Sequence, residues 1–287
     1  MKVLGIICLL LFLGWEYYCS KYKLKYSRYV INMPEIQEKI RIVHLTDLHN
    51  RRFGKNNEKL VRMIRAQSPD LICCTGDMLN AGGDSEVLLS LVDKLASEFP
   101  VYLSFGNHEL AYEKKNGKTL KDRLHKAGGE VLDFEYKDIF VNGNKVRIGG
   151  YYGYGFPGNC EIRPEEEGER NFLEDFQKTD ACRLLLTHVP YGWYRMHSLD
   201  YWDVDIVLAG HTHGGQIRLP FIGGLYAPDH GILPGREKGL YYSENRKKVM
   251  ELSSGLGSSE IVPRINNVPE IVVLDIQPGE PAGNENI

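Results

Sequence analysis

The chain has 287 residues, 35 basic against 38 acidic side chains and a formal net charge of −3. A protein that coats nucleic acid needs a strongly basic surface, so this balance argues against a nucleic-acid partner. With 43% hydrophobic and 25% charged residues, the composition is that of a folded globular protein rather than a disordered or collagen-like one. The length allows either two domains or one large α/β domain.

The first 20 residues are more apolar than the rest of the chain, and we predict that they form a membrane anchor. Residues 3–15 carry no charge. A helix continued to Ser20 would measure roughly 27 Å, close to the roughly 30 Å thickness of a bilayer core. Trp15, Tyr17 and Tyr18 would then lie at the membrane interface, where aromatic residues are enriched. We therefore expect the protein at the cell membrane, held by a single helix.

Two alternatives for this segment remain open. A cleaved signal peptide would also be apolar, although no small-residue A-x-A cleavage site follows the apolar residues. A buried helix of the main domain is the second alternative. Basic residues between 21 and 28 outnumber those before the helix. By the positive-inside rule this favours a cytoplasmic main domain, but one short helix leaves the side of the membrane open.

After the anchor, residues 21–36 are predicted to form a basic, tyrosine-rich linker, residues 37–277 the main domain and residues 278–287 a frayed tail. Within the main domain, short apolar runs alternate with amphipathic stretches, which indicates layers of strands and helices. Helices are predicted at residues 56–67, 85–97 and 119–127. Strands are predicted at residues 41–45, 70–75, 101–105, 139–141, 146–150, 183–187, 206–209, 247–253 and 270–276.

Polar side chains follow five of these predicted strands, at the point where each strand ends. Ligands of open α/β sheets gather beyond the carboxyl ends of the strands, so the five clusters are expected to meet at one edge. Seven residues in these clusters offer a nitrogen or oxygen donor to a metal: Asp47, His49, Asp77, Asn107, His188, His211 and His213. His108 also lies in a cluster but is not counted among these donors.

Two metal ions explain these donors more economically than one. A single tetrahedral or octahedral ion cannot bind seven nitrogen and oxygen donors and also keep a coordination position for water. A carboxylate can bridge two cations about 3.5 to 4 Å apart. Because no thiolate is among the donors, we expect Mn, Fe or Zn. Gly76, Gly106 and Gly210 precede the clusters, and we expect them to allow sharp turns where a side chain would crowd the donors.

The order D-x-H, G-D, G-N-H-E, T-H and G-H-T-H, spread over residues 47–213, resembles the calcineurin-like metallophosphoesterases. The stretch GHTHGGQIRLP at residues 210–220 is similar to the bacterial membrane-anchored branch of that family. The resemblance implies a four-layer α/β/β/α fold, a two-sheet sandwich flanked by helices. It also implies hydrolysis of a phosphodiester, phosphomonoester or pyrophosphate bond, in substrates that include membrane lipids and lipid-linked nucleotide sugars such as UDP-2,3-diacylglucosamine.

The same resemblance assigns roles to the donors. It implies two divalent or trivalent metal ions, with Asp77 bridging them. His108 would give a proton to the leaving group, and Glu109 would orient or tune its ring. The ligands of one ion would be Asp47, His49 and His213, and those of the other Asn107, His188 and His211.

Arg51 and Arg218 follow two of the metal motifs, and they are candidates for binding a phosphate, since guanidinium groups bind phosphate oxygens in pairs. Solvated loop charges are the equal alternative for both arginines. Two other functions also stay open. A nuclease of the same family is disfavoured by the near-neutral charge and the anchor, and a non-catalytic metal-binding scaffold is disfavoured by the complete set of donors.

Overall fold

The computed structural model describes residues 2–160, 163–235, 237–259 and 262–281. The predicted frayed tail lies outside the described residues from residue 282 onward. The helices are α1 (Lys2–Tyr22), α2 (Glu58–Arg65), α3 (Glu86–Ala96), α4 (Asn107–Asn116), α5 (Leu120–Lys126), α6 (Glu167–Phe176), α7 (Tyr191–Arg195) and α8 (Ser198–Tyr201).

The strands of the first half are β1 (Lys25–Met33), β2 (Ile40–Leu45), β3 (Leu71–Thr75), β4 (Val101–Ser104), β5 (Glu130–Val131), β6 (Glu135–Val141) and β7 (Asn144–Tyr151). Those of the second half are β8 (Cys182–Thr187), β9 (Ile206–Ala209), β10 (Arg218–Leu219), β11 (Gly223–Ala227), β12 (Gly231–Gly235), β13 (Gly239–Tyr242), β14 (Val249–Leu252) and β15 (Glu270–Pro278). Every strand and helix predicted in the main domain is present, with ends that differ by a few residues.

The strands form two large sheets and one small one. The first large sheet has the order β1-β15-β2-β3-β4-β5, and the second has the order β13-β14-β9-β8-β7-β6. In the first, β2, β3 and β4 run parallel, and in the second β7, β8 and β9 run parallel. The parallel strands of each sheet therefore end together at one edge. Strands β10, β11 and β12 form the small third sheet.

The two large sheets pack face to face with helices on their outer sides. Along β2, Ile40 and Ile42 contact the apolar residues between the sheets. The alternate residues, Val43 and Leu45, pack with the residues of α2, α3 and α5. A third apolar cluster joins the outer face of the second sheet to α6, α7 and α8. The predicted four-layer sandwich is confirmed.

The structure corrects the predicted linker at residues 21–36. Residues 25–33 form β1, which pairs in parallel with β15 along its whole length. Its two innermost side chains, Ile31 and Met33, are buried between the sheets. The strand lies at the edge of the sheet, so its exposed lysine, arginine and tyrosine side chains hide the alternation that would otherwise mark it. The main domain begins at this strand.

Helix α1 is confirmed as a helix, and its last turns contact the main domain. Cys19 and Ser20 are buried, and the Glu16 carboxylate accepts a hydrogen bond of 3.0 Å from the backbone N–H of Asn266. Residues Val3–Tyr22 are long and apolar enough to cross a membrane, a test that a signal sequence also passes. The helix is therefore attached directly to the domain rather than through a flexible segment.

Candidate metal centre

Five loops meet at the edge where the parallel strands of both sheets end. These loops follow β2, β3, β4, β8 and β9. They are tied together by the backbone, since the N–H of Asp47 donates to the carbonyl of Gly76 (3.1 Å) and that of His49 to the carbonyl of Asp77 (3.0 Å). Positive φ angles at Asp47, His49 and Asp77 turn these side chains sharply into the site. Strain of this kind is common where a structure holds functional groups in fixed positions.

The structure gathers the predicted donors into two adjacent groups. In each group the donor atoms lie within 4.8 Å of one another. Asp77 lies between the groups, because its Oδ2 is 3.7 Å from His49 Nε2 and 3.3 Å from His188 Nε2. The first group is Asp47, His49 and His213, and the second is Asp77, His188 and His211. A further group of His49, Asp77 and His108 shares one residue with each of them.

Hydrogen bonds determine which nitrogen of each histidine faces the centre. The Asn80 amide donates to the carbonyl of His49, so its oxygen accepts from His49 Nδ1 at 2.9 Å. His188 Nδ1 donates to the carbonyl of Thr75 at 2.8 Å. In both rings Nδ1 therefore carries a proton, and Nε2 points to the centre. His211 is reversed, because its Nε2 donates to the Asp229 carboxylate at 2.9 Å and leaves the lone pair on Nδ1.

Three buried polar atoms in the described part of the centre have no hydrogen-bond partner. They are His49 Nε2, His213 Nδ1 and Asn107 Oδ1. Buried polar atoms normally have a partner, so three unpartnered atoms within one site need an explanation. A cation supplies it, since each of these atoms can donate a lone pair to a metal ion.

The electrostatics of the centre also fit bound cations. Burial alone would raise the pKa of Asp47, but His213, His188 and His49 hold it below its usual value. Burial lowers the pKa of His213 to about 3, so this imidazole is neutral and able to bind a metal. Burial would likewise lower the pKa of His188, but Asp77 raises it to about 10. Without a metal, the two carboxylates therefore attract a proton where a cation would lie.

His108 lies beside the centre with a different orientation. Its Nε2 is 3.8 Å from Asp77 Oδ2. Its Nδ1 accepts a hydrogen bond of 3.1 Å from the backbone N–H of Ala81, so the ring proton is on Nε2. The residue belongs to the first turn of α4. His108 therefore presents an N–H, not a lone pair, to the centre.

Glu109 does not have the predicted role of orienting the His108 ring. Its buried carboxylate accepts backbone hydrogen bonds of 2.7 to 3.1 Å from Asp77, Met78, Leu79 and Gly106. Burial raises its pKa to about 7 despite these bonds. Glu109 thus holds the loop after β3 against the start of α4, and so positions Asp77.

The two candidate phosphate-binding arginines lie in different places. Arg51 donates to the carbonyls of Leu256 (3.2 Å), Ser20 (2.9 Å) and Lys21, and its burial lowers its pKa. Arg218 donates to the carbonyl of Gly214 at 2.7 Å. A cavity of about 330 Å³ opens beside the centre. Its lining includes His49 and Arg51, three residues of α1 (Tyr17, Ser20 and Lys21) and the buried Arg264.

Three residues of the site were not predicted from the sequence. Asn80 and Asp229 orient metal-facing histidines, as described above. Arg264 donates to the carbonyls of Gly257 (2.6 Å) and Asn267 (3.0 Å), and burial lowers its pKa to about 10. A general expectation that ligating histidines have a second partner could have suggested Asn80, three residues after Asp77. Asp229 and Arg264 follow no motif, and only the fold brings them to the centre.

Two of the predicted glycines are required by close contacts. A Cβ at Gly106 would lie 2.3 Å from Asp77 Oδ1, and a Cβ at Gly210 would lie 2.1 Å from Thr46 Oγ1 and 2.5 Å from Asp47 Oδ2. All three distances are far below van der Waals contact. The prediction that side chains at these turns would crowd the donors is confirmed.

Gly210→Ala is therefore expected to destabilise the protein by roughly 1 to 3 kcal/mol, the usual cost of overpacking, and to displace Asp47. Urea unfolding of the metal-free protein measures the first effect, and metal content after reloading measures the second. Gly168→Ala on α6 is the matched control, because its Cβ would meet no atom within 4 Å and its backbone φ is not positive. Equal stability and metal content in both variants would contradict the crowding.

Comparisons with known proteins found a matching family model, sequence relatives and solved structures with a similar fold. A family model described as calcineurin-like phosphoesterase matches residues 40–215. The uncharacterized metallophosphoesterase YkoQ of Bacillus subtilis is 29% identical over 249 residues, 84% of each chain. The phosphodiesterase YaeI of Escherichia coli is 28% identical over 250 residues, 82% of each chain. A solved structure, the 5'-nucleotidase precursor of Thermus thermophilus, is 16% identical with a TM-score of 0.48, over 75% of this chain and 48% of that one.

Proposed function

The chain belongs to the calcineurin-like phosphoesterase family and is a metal-dependent phosphoester hydrolase, and we propose that it hydrolyses phosphodiesters with two metal ions. The position of Asp77 carries this proposal, because one carboxylate oxygen lies within 4 Å of donors from both groups. The name phosphodiesterase printed for the relative YaeI supports a diester as the substrate. A phosphomonoester or pyrophosphate is the alternative that a substrate panel would reveal.

Seven side chains would hold the two ions, with Asp77 in contact with both. Nitrogen and oxygen donors without a thiolate suit Mn, Fe or Zn. When bound, two such ions would polarise a phosphoryl oxygen and lower the pKa of a water between them. The proposed ligands are Asp47, His49 and His213 for one ion, and Asn107, His188 and His211 for the other.

The side chains around the ligands fix their orientation. Asn80, Asp229 and the carbonyl of Thr75 set the tautomers of three histidines, and Glu109 fixes the loop that carries Asp77. Such partners raise the affinity of a metal site and exclude wrong geometries. These hydrogen bonds support the proposal, because they hold the proposed ligands in position before a cation binds.

His108 takes a modified role in this proposal. Proton donation requires a charged imidazole, but Nδ1 of His108 already accepts the Ala81 N–H. The neutral ring can still donate a hydrogen bond from Nε2 to a phosphoryl or leaving oxygen beside Asp77. Positioned donors of this kind stabilise charge that develops in the transition state. We therefore replace the expected general acid with a neutral hydrogen-bond donor.

The proposal is tested by measuring metal content and hydrolysis on the same purified samples. The chelated protein should be inactive toward an aryl phosphodiester and should regain activity as Mn²⁺ is added, in step with the uptake of two ions per chain. Full activity with one ion bound would refute the dinuclear site. Metal uptake without hydrolysis of any diester, monoester or pyrophosphate would favour the non-catalytic scaffold.

We further propose that α1 anchors the enzyme in the cell membrane. An anchor raises the effective concentration at a membrane and contributes no chemistry. The end of α1 lines the cavity, however, so the position of a truncation matters. Deleting residues 1–14 keeps the contact of Glu16 and the lining residues, and it should leave kcat for soluble aryl diesters unchanged.

The same deletion should release the protein from membranes and weaken its action on phosphoesters embedded in vesicles. Deleting residues 1–26 is the informative comparison, because it also removes the start of β1 and both α1 carbonyls that bind Arg51. We expect that longer deletion to lower the melting temperature and kcat together. Membrane association as strong as that of the full chain after the shorter deletion would contradict the anchor.

A further inference from the structure

The small third sheet carries a patch of exposed apolar side chains. It consists of Phe221 and Ile222 in the turn between β10 and β11, and we call it the β10–β12 patch after its sheet. Phe221 is fully exposed, and Ile222 is 57% exposed. Ile232 and Leu233 are also exposed, but they lie on β12 on the other side of the Gly224–Gly235 pair and are not part of the patch. Single apolar residues on a surface need no explanation, but two adjacent large ones in an exposed turn can enter an apolar partner.

One loop connects this patch to the end of α1. The backbone N–H of Asn266 donates to the Glu16 carboxylate at 3.0 Å. The side-chain amide of Asn266 donates to the carbonyl of Arg218 at 3.0 Å. Arg218 begins β10, and Phe221 follows it by three residues. The patch is therefore close to the point where α1 meets the domain.

The length of α1 determines how near the domain lies to the bilayer. The uncharged residues 3–15 extend roughly 20 Å as a helix, which is less than the roughly 30 Å of a bilayer core. Glu16 already contacts the domain, so the domain surface lies at the membrane interface if α1 crosses the membrane. A short hydrophobic segment pulls its flanking residues into the interface.

We propose that the β10–β12 patch inserts into the surface of the lipid bilayer beside α1, so that the domain contacts the membrane at two places. The apolar side chains would leave water, while Lys21 and Lys23 at the end of α1 would lie at the level of anionic headgroups. The proposal rests on α1 as a membrane anchor, as proposed above.

The proposed membrane contact also determines where the cavity beside the metal centre opens. Tyr17, Ser20 and Lys21 line the cavity beside His49, so the mouth of the cavity lies where α1 leaves the bilayer. A phosphoester at headgroup depth would reach the centre without leaving the membrane. With the hydrolase activity proposed above, this route would serve the lipid substrates that the family resemblance implies.

Tryptophan fluorescence with brominated lipids tests the contact on the full chain. The protein is reconstituted into vesicles of phosphatidylethanolamine and phosphatidylglycerol whose acyl chains carry bromine. A Trp15→Phe background removes the tryptophan of α1, and the remaining Trp193 and Trp202 are buried in the domain. Phe221→Trp reports on the patch, and Phe140→Trp is the matched control, since Phe140 is also 77% exposed but lies on the edge strand β6.

We expect bromine to quench the tryptophan at position 221, with a blue shift of its emission, and to leave the tryptophan at position 140 unchanged. No quenching at 221, while Trp15 of the unaltered chain is quenched, would refute insertion of the patch. An unquenched Trp15 would refute the anchor and the proposal with it. Hydrolysis of a soluble aryl diester by the same samples shows separately whether the catalytic function holds.

Discussion

Asp77→Asn is expected to lower turnover by several orders of magnitude and to lose at least one of the two metal ions. The substitution keeps the shape of the side chain but removes the charge that both ions would share. Asp77 Oδ2 lies within 4 Å of a ring nitrogen of His49, His108 and His188. It is therefore placed between the donors proposed for the two ions. Losing an anionic ligand weakens metal binding directly, because deprotonated ligands supply much of the affinity.

Metal content and kcat/KM for an aryl phosphodiester measure the two effects on the same samples. Asp93→Asn is the control, because Asp93 is an exposed carboxylate on α3 and its loss changes the net charge equally. Circular dichroism confirms that both variants fold. Near wild-type activity with two ions retained in Asp77→Asn would disprove the bridging role.

His108→Ala is expected to reduce kcat/KM by roughly 10²- to 10³-fold, the usual effect of removing one positioned hydrogen-bond donor. Both metal ions should remain, because Nε2 of His108 carries a proton rather than a lone pair. The loss should be similar for phosphodiesters with basic and with weakly basic leaving groups. A neutral donor stabilises charge on oxygen but does not transfer a full proton to it.

A series of phosphodiesters with graded leaving-group pKa separates the two roles of His108. A loss that grows with leaving-group basicity would show proton transfer and restore the general acid. His108→Gln should recover part of the activity, because its amide N–H can replace Nε2–H. His197→Ala is the control, since that ring is exposed on the surface. A lost metal ion in His108→Ala would make His108 a ligand instead.

The convergence of the donor side chains at one edge could be predicted from the sequence, because it follows from the order of the strands. Each donor follows an apolar run, and parallel strands bring such positions to one edge regardless of the details of packing. For this reason Asp47 and His213, far apart in the chain, could be placed together before the structure was known. The glycines beside them were equally predictable, since crowding at a strand end is a local property.

Other features depend on contacts that a linear pattern does not contain. Strand β1 was missed because one of its faces is exposed and carries charges and tyrosines. The small sheet β10–β12 was missed because glycines interrupt its apolar alternation. The state of His108 depends on the Ala81 N–H, which the fold brings within reach from another loop. The role of Glu109 likewise follows from backbone groups of the loop after β3.

Electron paramagnetic resonance of the full chain loaded with Mn²⁺ tests the central claim most directly, namely that one carboxylate joins two ions. Two Mn²⁺ ions that share Asp77 would be close enough for exchange coupling, and the account predicts the spectrum of a coupled pair at full loading. In Asp77→Asn, with the other donors intact, the coupled signal should disappear. A fully loaded wild-type protein that shows only the spectrum of isolated Mn²⁺ would contradict the dinuclear centre.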